Sequence, residues 1–178
     1  MPVRSIVLFG HVAGLLAVFV GFAFEWVSLS LLRQSRVAEP GSPIARLRRT
    51  LPRIYGMGFA LLLVSGMYLA RTLGAFGTPW VRLSLALLVL MGLVGAPTVR
   101  AHASAPDGST LPHAPLARLW ASLATRMALG LTAVLVMIDK PTMKTSLLLA
   151  GGAVAIALTF TVLASTLAGG DREIAGSN

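Results

Sequence analysis

Cysteine is missing from the 178-residue chain. That absence removes disulfides, iron–sulfur clusters, thiolate zinc sites and cysteine nucleophiles together. Acidic residues are scarce too, six against fifteen Lys and Arg, and charged residues of both signs make up only 12% of the sequence. No internal repeat, dinucleotide fingerprint, Walker loop, His-Glu-x-x-His or Gly-x-Ser-x-Gly occurs, so the common signatures of soluble enzyme chemistry are lacking. What remains is apolar: 56% of residues are hydrophobic and the mean hydropathy is +0.81, a balance that points to the bilayer as solvent. The net charge of +9 raises nucleic acid as a partner, but the basic residues flank apolar runs, and membrane orientation accounts for them without nucleic acid.

A spanning helix needs roughly 20 mostly apolar residues, and five stretches qualify, at about 5–32, 54–74, 80–99, 119–138 and 145–168. The expected fold is therefore all-α, a polytopic transmembrane helix bundle forming one integral membrane domain over residues 1–178. Arg33 to Arg53 contains Glu39-Pro40-Gly41-Ser42-Pro43 followed by Arg46, Arg48 and Arg49, and reads as a basic loop with helix breakers. Pro97 to Arg118, with Pro106-Asp107-Gly108-Ser109, Pro112 and Pro115, reads as a turn-rich connection. Placing the N-terminus outside puts ten basic residues (Arg33, Arg36, Arg46, Arg48, Arg49, Arg53, Arg100, Arg118, Arg126 and Arg172) on the inner side and five (Arg4, Arg71, Arg82, Lys140 and Lys144) outside, the asymmetry that orients inner-membrane proteins. Arg126 lies about 7 residues inside the fourth stretch, at an insertion cost of about 2.5–3.5 kcal/mol for a mid-helix arginine, so a four-span arrangement stays open. The first stretch is too long for a secretory signal and lacks a small-x-small site before Glu25-Trp26, so a retained helix is expected. Trp26, Trp80 and Trp120 fall near the expected interfaces.

Ionisable groups inside spans are costly and are the first functional candidates. His11 and Glu25 are 14 residues apart, within about 40° on a helical wheel but about 21 Å apart along the axis, so they serve opposite leaflets. At the inner end Glu25 is placed to meet Arg126 in a structural ion pair that locks two helices; the alternative, a proton relay, finds no further titratable partners in the spans. At the outer end His11 is joined by Arg71 and Arg82. Imidazole ligates haem iron, and guanidinium groups suit haem propionates; the plainer reading is that both arginines snorkel to lipid phosphate while His11 bonds a neighbouring helix. His102 and His113 lie at the wrong end to be a second axial ligand. Met67 and Met137 are thioether candidates, and His11, Met67, Met137 and Met143 form a soft donor set for copper(I), although methionines in apolar helices commonly serve packing. Gly10-His-Val-Ala-Gly14 is a small-residue pattern that favours close helix approach.

Several short segments together resemble a known family: the early His11, the basic first loop, Gly66-x-Tyr68-Leu69 late in the second helix, Pro79-Trp80-Val81-Arg82-Leu83 opening the third, and Val136-Met137-Ile138-Asp139-Lys140-Pro141 closing the fourth. Over roughly residues 5–141 the chain is similar to a family of bacterial integral membrane proteins of unknown function, whose last common helix closes on a Met-Val-x-Lys-Pro-like sequence. More distantly it resembles the copper-resistance D-like proteins and the membrane-bound haem-b protoporphyrinogen oxidases. The oxidase resemblance implies haem b and a first-helix His ligand, matched by His11. It also implies a lysine shortly after the third-helix Trp, where this chain has Arg82 or Ser84; an arginine stays protonated and does not replace a neutral amine. Two functions follow as expectations: a haem- or copper-handling redox protein of the bacterial inner membrane, or a non-catalytic scaffold or accessory subunit that binds no cofactor. Both are surrounded by lipid, and both allow association with another copy or another membrane protein.

Overall fold

The computed structural model describes residues 2–35, 43–103 and 116–140, with positions 142, 144, 145, 148, 149, 151, 152, 155, 156 and 159. Four long helices carry the chain: α1 (Pro2–Ser35), α2 (Pro43–Thr72), α3 (Pro79–Ala103) and α4 (Leu116–Asp139). A 3-10 turn at Ala75–Gly77 joins α2 to α3, and no strand occurs among the described residues. Each helix contains a stretch long and apolar enough to cross a membrane: Val3–Leu31, Thr50–Thr72, Pro79–Thr98 and Ala117–Asp139. The shortest, 20 residues, reaches about 30 Å at 1.5 Å per residue, the thickness of a hydrocarbon core. The fifth expected span, about 145–168, lies outside the described residues apart from isolated positions.

Two helices run further than the sequence pattern indicates. α2 starts at Pro43, so Arg46 sits on a helical turn that precedes the apolar stretch and Arg53 within its first turn, rather than in a loop. Proline at a first helical position gives up an N–H that has no partner there anyway, and arginine is a good helix former. Likewise α3 continues through Pro97 to Ala103. An interior proline removes one backbone hydrogen bond, and here Pro52 and Pro97 are both carried within long helices.

The helices form an antiparallel ring in chain order. α1 and α2 pack most closely, then α3 and α4; the α2–α3 and α4–α1 seams are looser, and the backbones of the diagonal pairs do not approach one another. The α1–α2 contact is tight because glycines face each other across it. A Cβ added at Gly14 would lie 2.9 Å from the Leu62 amide nitrogen, and one at Gly58 would lie 3.1 Å from that of Val18. Backbone meets backbone at this crossing, as small residues permit in membrane helices. Between the helices, Val18, Phe22, Leu29, Leu62, Met91 and Leu123 build a continuous core.

Polarity is arranged in reverse of a soluble bundle. Phe9 and Ile138 are 75% and 77% exposed, whereas Glu25 and Arg126 are 2% and 3% exposed. Such an exterior is stable only against lipid. α4 closes at Lys140, whose φ of 46° is left-handed and whose amide donates to the Val136 carbonyl at 3.1 Å, a C-terminal cap of the kind usually made by glycine. Lys140 Nζ then lies 5.8 Å from the centre of the Trp80 ring, joining the end of α4 to the start of α3.

Substituting Gly14 or Gly58 by Leu is expected to lower unfolding free energy in detergent by about 1–3 kcal/mol through overpacking. Gly10→Ala, whose added Cβ would meet Leu61 at an ordinary 3.6 Å, is expected to be neutral or slightly stabilising. Equal losses at all three positions would mean that the crossing is not where the two helices are held.

Candidate functional site

Two polar centres sit inside the apolar bundle, one at each end. At the end where α1 begins, a cavity of about 190 Å³ is lined by all four helices. His11 enters it from α1, Met67 from α2, Trp80 and Ser84 from α3, and Met137 from α4. Segments far apart in the chain thus converge on one place. Gly66 makes room for the imidazole, since a Cβ there would come within 3.1 Å of the His11 ring.

Ser65 is the side chain that the imidazole meets. His11 Nδ1 lies 3.1 Å from Ser65 Oγ, and the single hydroxyl proton of Ser65 goes back to the Leu61 carbonyl one turn earlier. With that proton on the Leu61 or Leu62 carbonyl, Ser65 accepts from Nδ1–H, the tautomer of the neutral ring that leaves the lone pair on Nε2. The backbone of Leu62 also accepts from the imidazole, and no side chain among the described residues other than Ser65 hydrogen-bonds it. Ser84 adds an unmet group: it is buried, and its Oγ has no hydrogen-bond partner among the described residues. The cavity therefore brings an imidazole and an unpartnered hydroxyl into otherwise apolar walls.

The structure does not bring Arg71 and Arg82 to this cavity. Both are exposed, neither lines it, and Arg82 Nε donates to the Phe76 carbonyl at 3.1 Å. Met67 is on the rim, 45% exposed, and Met137 is half-buried. Met143 and His113 lie outside the described residues, as does the side chain of His102, which falls in the last turn of α3. No group of three or more His, Asp or Glu is gathered among the described residues, so the donors available at the cavity are one imidazole and thioethers.

At the other end, Arg126 Nη2 donates to Glu25 Oε1 at 2.6 Å and the Tyr55 hydroxyl donates to Glu25 Oε2 at 2.6 Å. Each carboxylate oxygen thus has its own donor. Arg126 Nε is given to the Ser122 carbonyl at 3.2 Å, and the rings of Tyr55 and Phe22 flank the guanidinium at 5.4 and 5.8 Å from its carbon. Gly95 of α3 allows this placement, because a Cβ there would lie 2.9 Å from Arg126 Cδ. Close to the pair, the Trp26 and Trp120 rings meet edge to face at 4.9 Å. Ion pairing and two further hydrogen bonds let a full charge of each sign remain in a region where an isolated one would cost several kcal/mol.

Residue types alone do not single out Ser65 or Tyr55. Ser65 is 54 positions from His11 in the chain, and serine is common in membrane helices. Tyr55, beside the basic segment, carries the signature of an interfacial aromatic. The chain matches no family model, no curated protein and no solved structure. Its class rests on its own architecture: an all-helical protein whose four apolar helices are those of a multi-pass membrane protein.

Glu25→Ala and Arg126→Ala are each expected to cost about 3–5 kcal/mol in detergent, because either leaves a buried charge unpaired. The double substitution is expected to cost clearly less than the two combined. Thermal unfolding of the four species measures the coupling, and strict additivity would show that the contact contributes nothing. Tyr55→Phe, which leaves one carboxylate oxygen without a donor, is expected to cost about 1–3 kcal/mol.

Proposed function

We propose that this is a copper-handling protein of the bacterial inner membrane, in which His11 Nε2 and the thioethers of Met67 and Met137 hold copper(I) at the outer end of the bundle. The observation that carries the reading is the hydrogen bond between His11 Nδ1 and Ser65, in which Ser65 accepts when its own proton goes to a backbone carbonyl of its helix. A metal-bound histidine characteristically donates its other ring N–H to a fixed acceptor, which orients the ring and leaves a lone pair for the ion. Imidazole with thioether suits copper(I) better than a hard cation. The resemblance to copper-resistance D-like proteins agrees with it, and the excess of basic residues at the opposite end orients the His11 end outwards.

Haem b, the other group implied by resemblance, fits these residues less well. Pockets for small molecules run roughly 300–1,000 Å³, well above the 190 Å³ available beside His11. The two arginines assigned to propionates do not line the cavity either. A macrocycle exceeds the space beside His11, whereas a single ion does not.

The test is metal analysis together with an oxidised-minus-reduced absorption spectrum on protein from cells given copper and haem precursor. Close to one copper per chain is expected, lost in His11→Ala and retained in Glu25→Gln. Ser65→Ala, which frees the ring to adopt the other tautomer, is expected to weaken copper binding by about 10–100-fold. A Soret band that disappears in His11→Ala would assign haem instead. Neither signal would leave the non-catalytic scaffold, with the Glu25–Arg126 pair as its helix lock.

A further inference from the structure

A second and larger cavity, about 430 Å³, lies between α2 and α3 beside the buried ion pair. It falls within the size range of small-molecule sites. Its inner wall holds Phe22, Tyr55, Phe59 and Arg126. At its edge Gly56, Val89 and Leu93 are exposed, so the space opens sideways, towards the lipid.

Of the five guanidinium N–H groups that an arginine carries, Arg126 gives one on Nε to Ser122 and one on Nη2 to Glu25, and the Tyr55 hydroxyl interacts with the guanidinium as well. Three partners for five donors leave N–H groups over. Nη1 lies 3.8 Å from where a Gly95 Cβ would stand, and Gly95 lines the same cavity. A charged side chain with 3% exposure thus faces an apolar space with donors to spare. The charge of Glu25 already balances that of Arg126, so an anion would add a buried charge with no counterpart, and a bare hydrocarbon chain would leave the N–H groups unmet. A neutral acceptor satisfies both conditions, and three aromatic rings favour a flat partner.

We propose that this cavity binds a neutral lipophilic ring carbonyl compound of the membrane quinone class, with its carbonyl accepting from Arg126 Nη1, its ring against Phe22, Tyr55 and Phe59, and its tail leaving between α2 and α3. The proposal is independent of any metal at His11.

Gly56→Leu provides the blocking variant, because Gly56 lies at the exposed edge of the cavity and a Cβ there meets nothing within 4 Å, so a longer side chain is expected to narrow the opening. Its thermal unfolding in detergent should match that of the wild type. Uptake of a decyl-substituted benzoquinone is then measured on protein in phosphatidylcholine nanodiscs, with empty nanodiscs subtracted to remove partition into lipid. Saturable uptake near one per chain is expected, weakened at least about tenfold in Gly56→Leu, unchanged in His11→Ala and not displaced by decylbenzene, which lacks the carbonyl. Uptake no greater than in empty nanodiscs would overturn the proposal. So would uptake that Gly56→Leu leaves intact, or equal displacement by decylbenzene, which would make the cavity an acyl-chain slot.

Discussion

The salt bridge between Glu25 and Arg126 is the interaction on which the arrangement of the helices turns. It belongs to a chain of polar contacts that passes through all four. Tyr55 of α2 donates to Glu25 of α1, which accepts from Arg126 of α4; Arg126 also donates to the backbone of Ser122, whose hydroxyl reaches the Val94 carbonyl of α3 at 3.3 Å and Thr98 Oγ1 at 3.1 Å. In lipid, apolar packing distinguishes poorly between one helix rotation and another, since the acyl chains are as apolar as the helix surfaces. A polar chain of this kind supplies the missing specificity: rotating any one helix would leave a buried donor or acceptor unmet. Glycine at position 95 is part of the same device, because it leaves room for the arginine side chain against α3.

The ring of helices is uneven, and its unevenness places the cavities. α1 with α2 and α3 with α4 form two close pairs, the first drawn together by the Gly14–Gly58 crossing. The seam between α2 and α3 is looser, and residues from both of its sides line both cavities. One cavity gathers His11, Ser84 and two methionines; the other lies against the ion pair. A bundle built from two tight pairs can keep open space along one seam without losing its fold, because the polar chain and the pair contacts hold the helices while the seam is free to receive a ligand.

Ser65 and Ser84 show how much of a membrane site depends on hydroxyl groups with different partners. Ser65 hydrogen-bonds both the backbone of its own helix and His11 Nδ1. Ser84 lines the same cavity and has no hydrogen-bond partner among the described residues. The same residue type, one turn geometry apart in its use, is on one side a positioning group for an imidazole and on the other an unsatisfied polar group beside it.

Composition by itself determined the solvent and the architecture of this protein. The dearth of charge, the absence of cysteine and the length of the apolar runs leave only membrane-spanning helices for most of the chain, because a backbone in lipid must satisfy its own hydrogen bonds. Scarcity also narrowed the choice of polar partners: with so few ionisable groups inside the spans, Glu25 and Arg126 stand out as a pair, and His11 as the residue in the first helix with donor chemistry. The helix ends were less legible, since Pro43, Pro52 and Pro97 read locally as breakers yet are carried within helices whose neighbouring residues favour the helical state. Tertiary structure alone decided which side chains meet. Ser65 reaches His11 and Tyr55 reaches Glu25 across helices 54 and 30 positions away in sequence, and the separation of Arg71 and Arg82 from the cavity depends on helix rotation. Residue type and spacing set the face and depth of a side chain on its own helix, whereas rotation and approach between helices follow from glycine contacts and hydrogen bonds that exist only once the bundle is assembled.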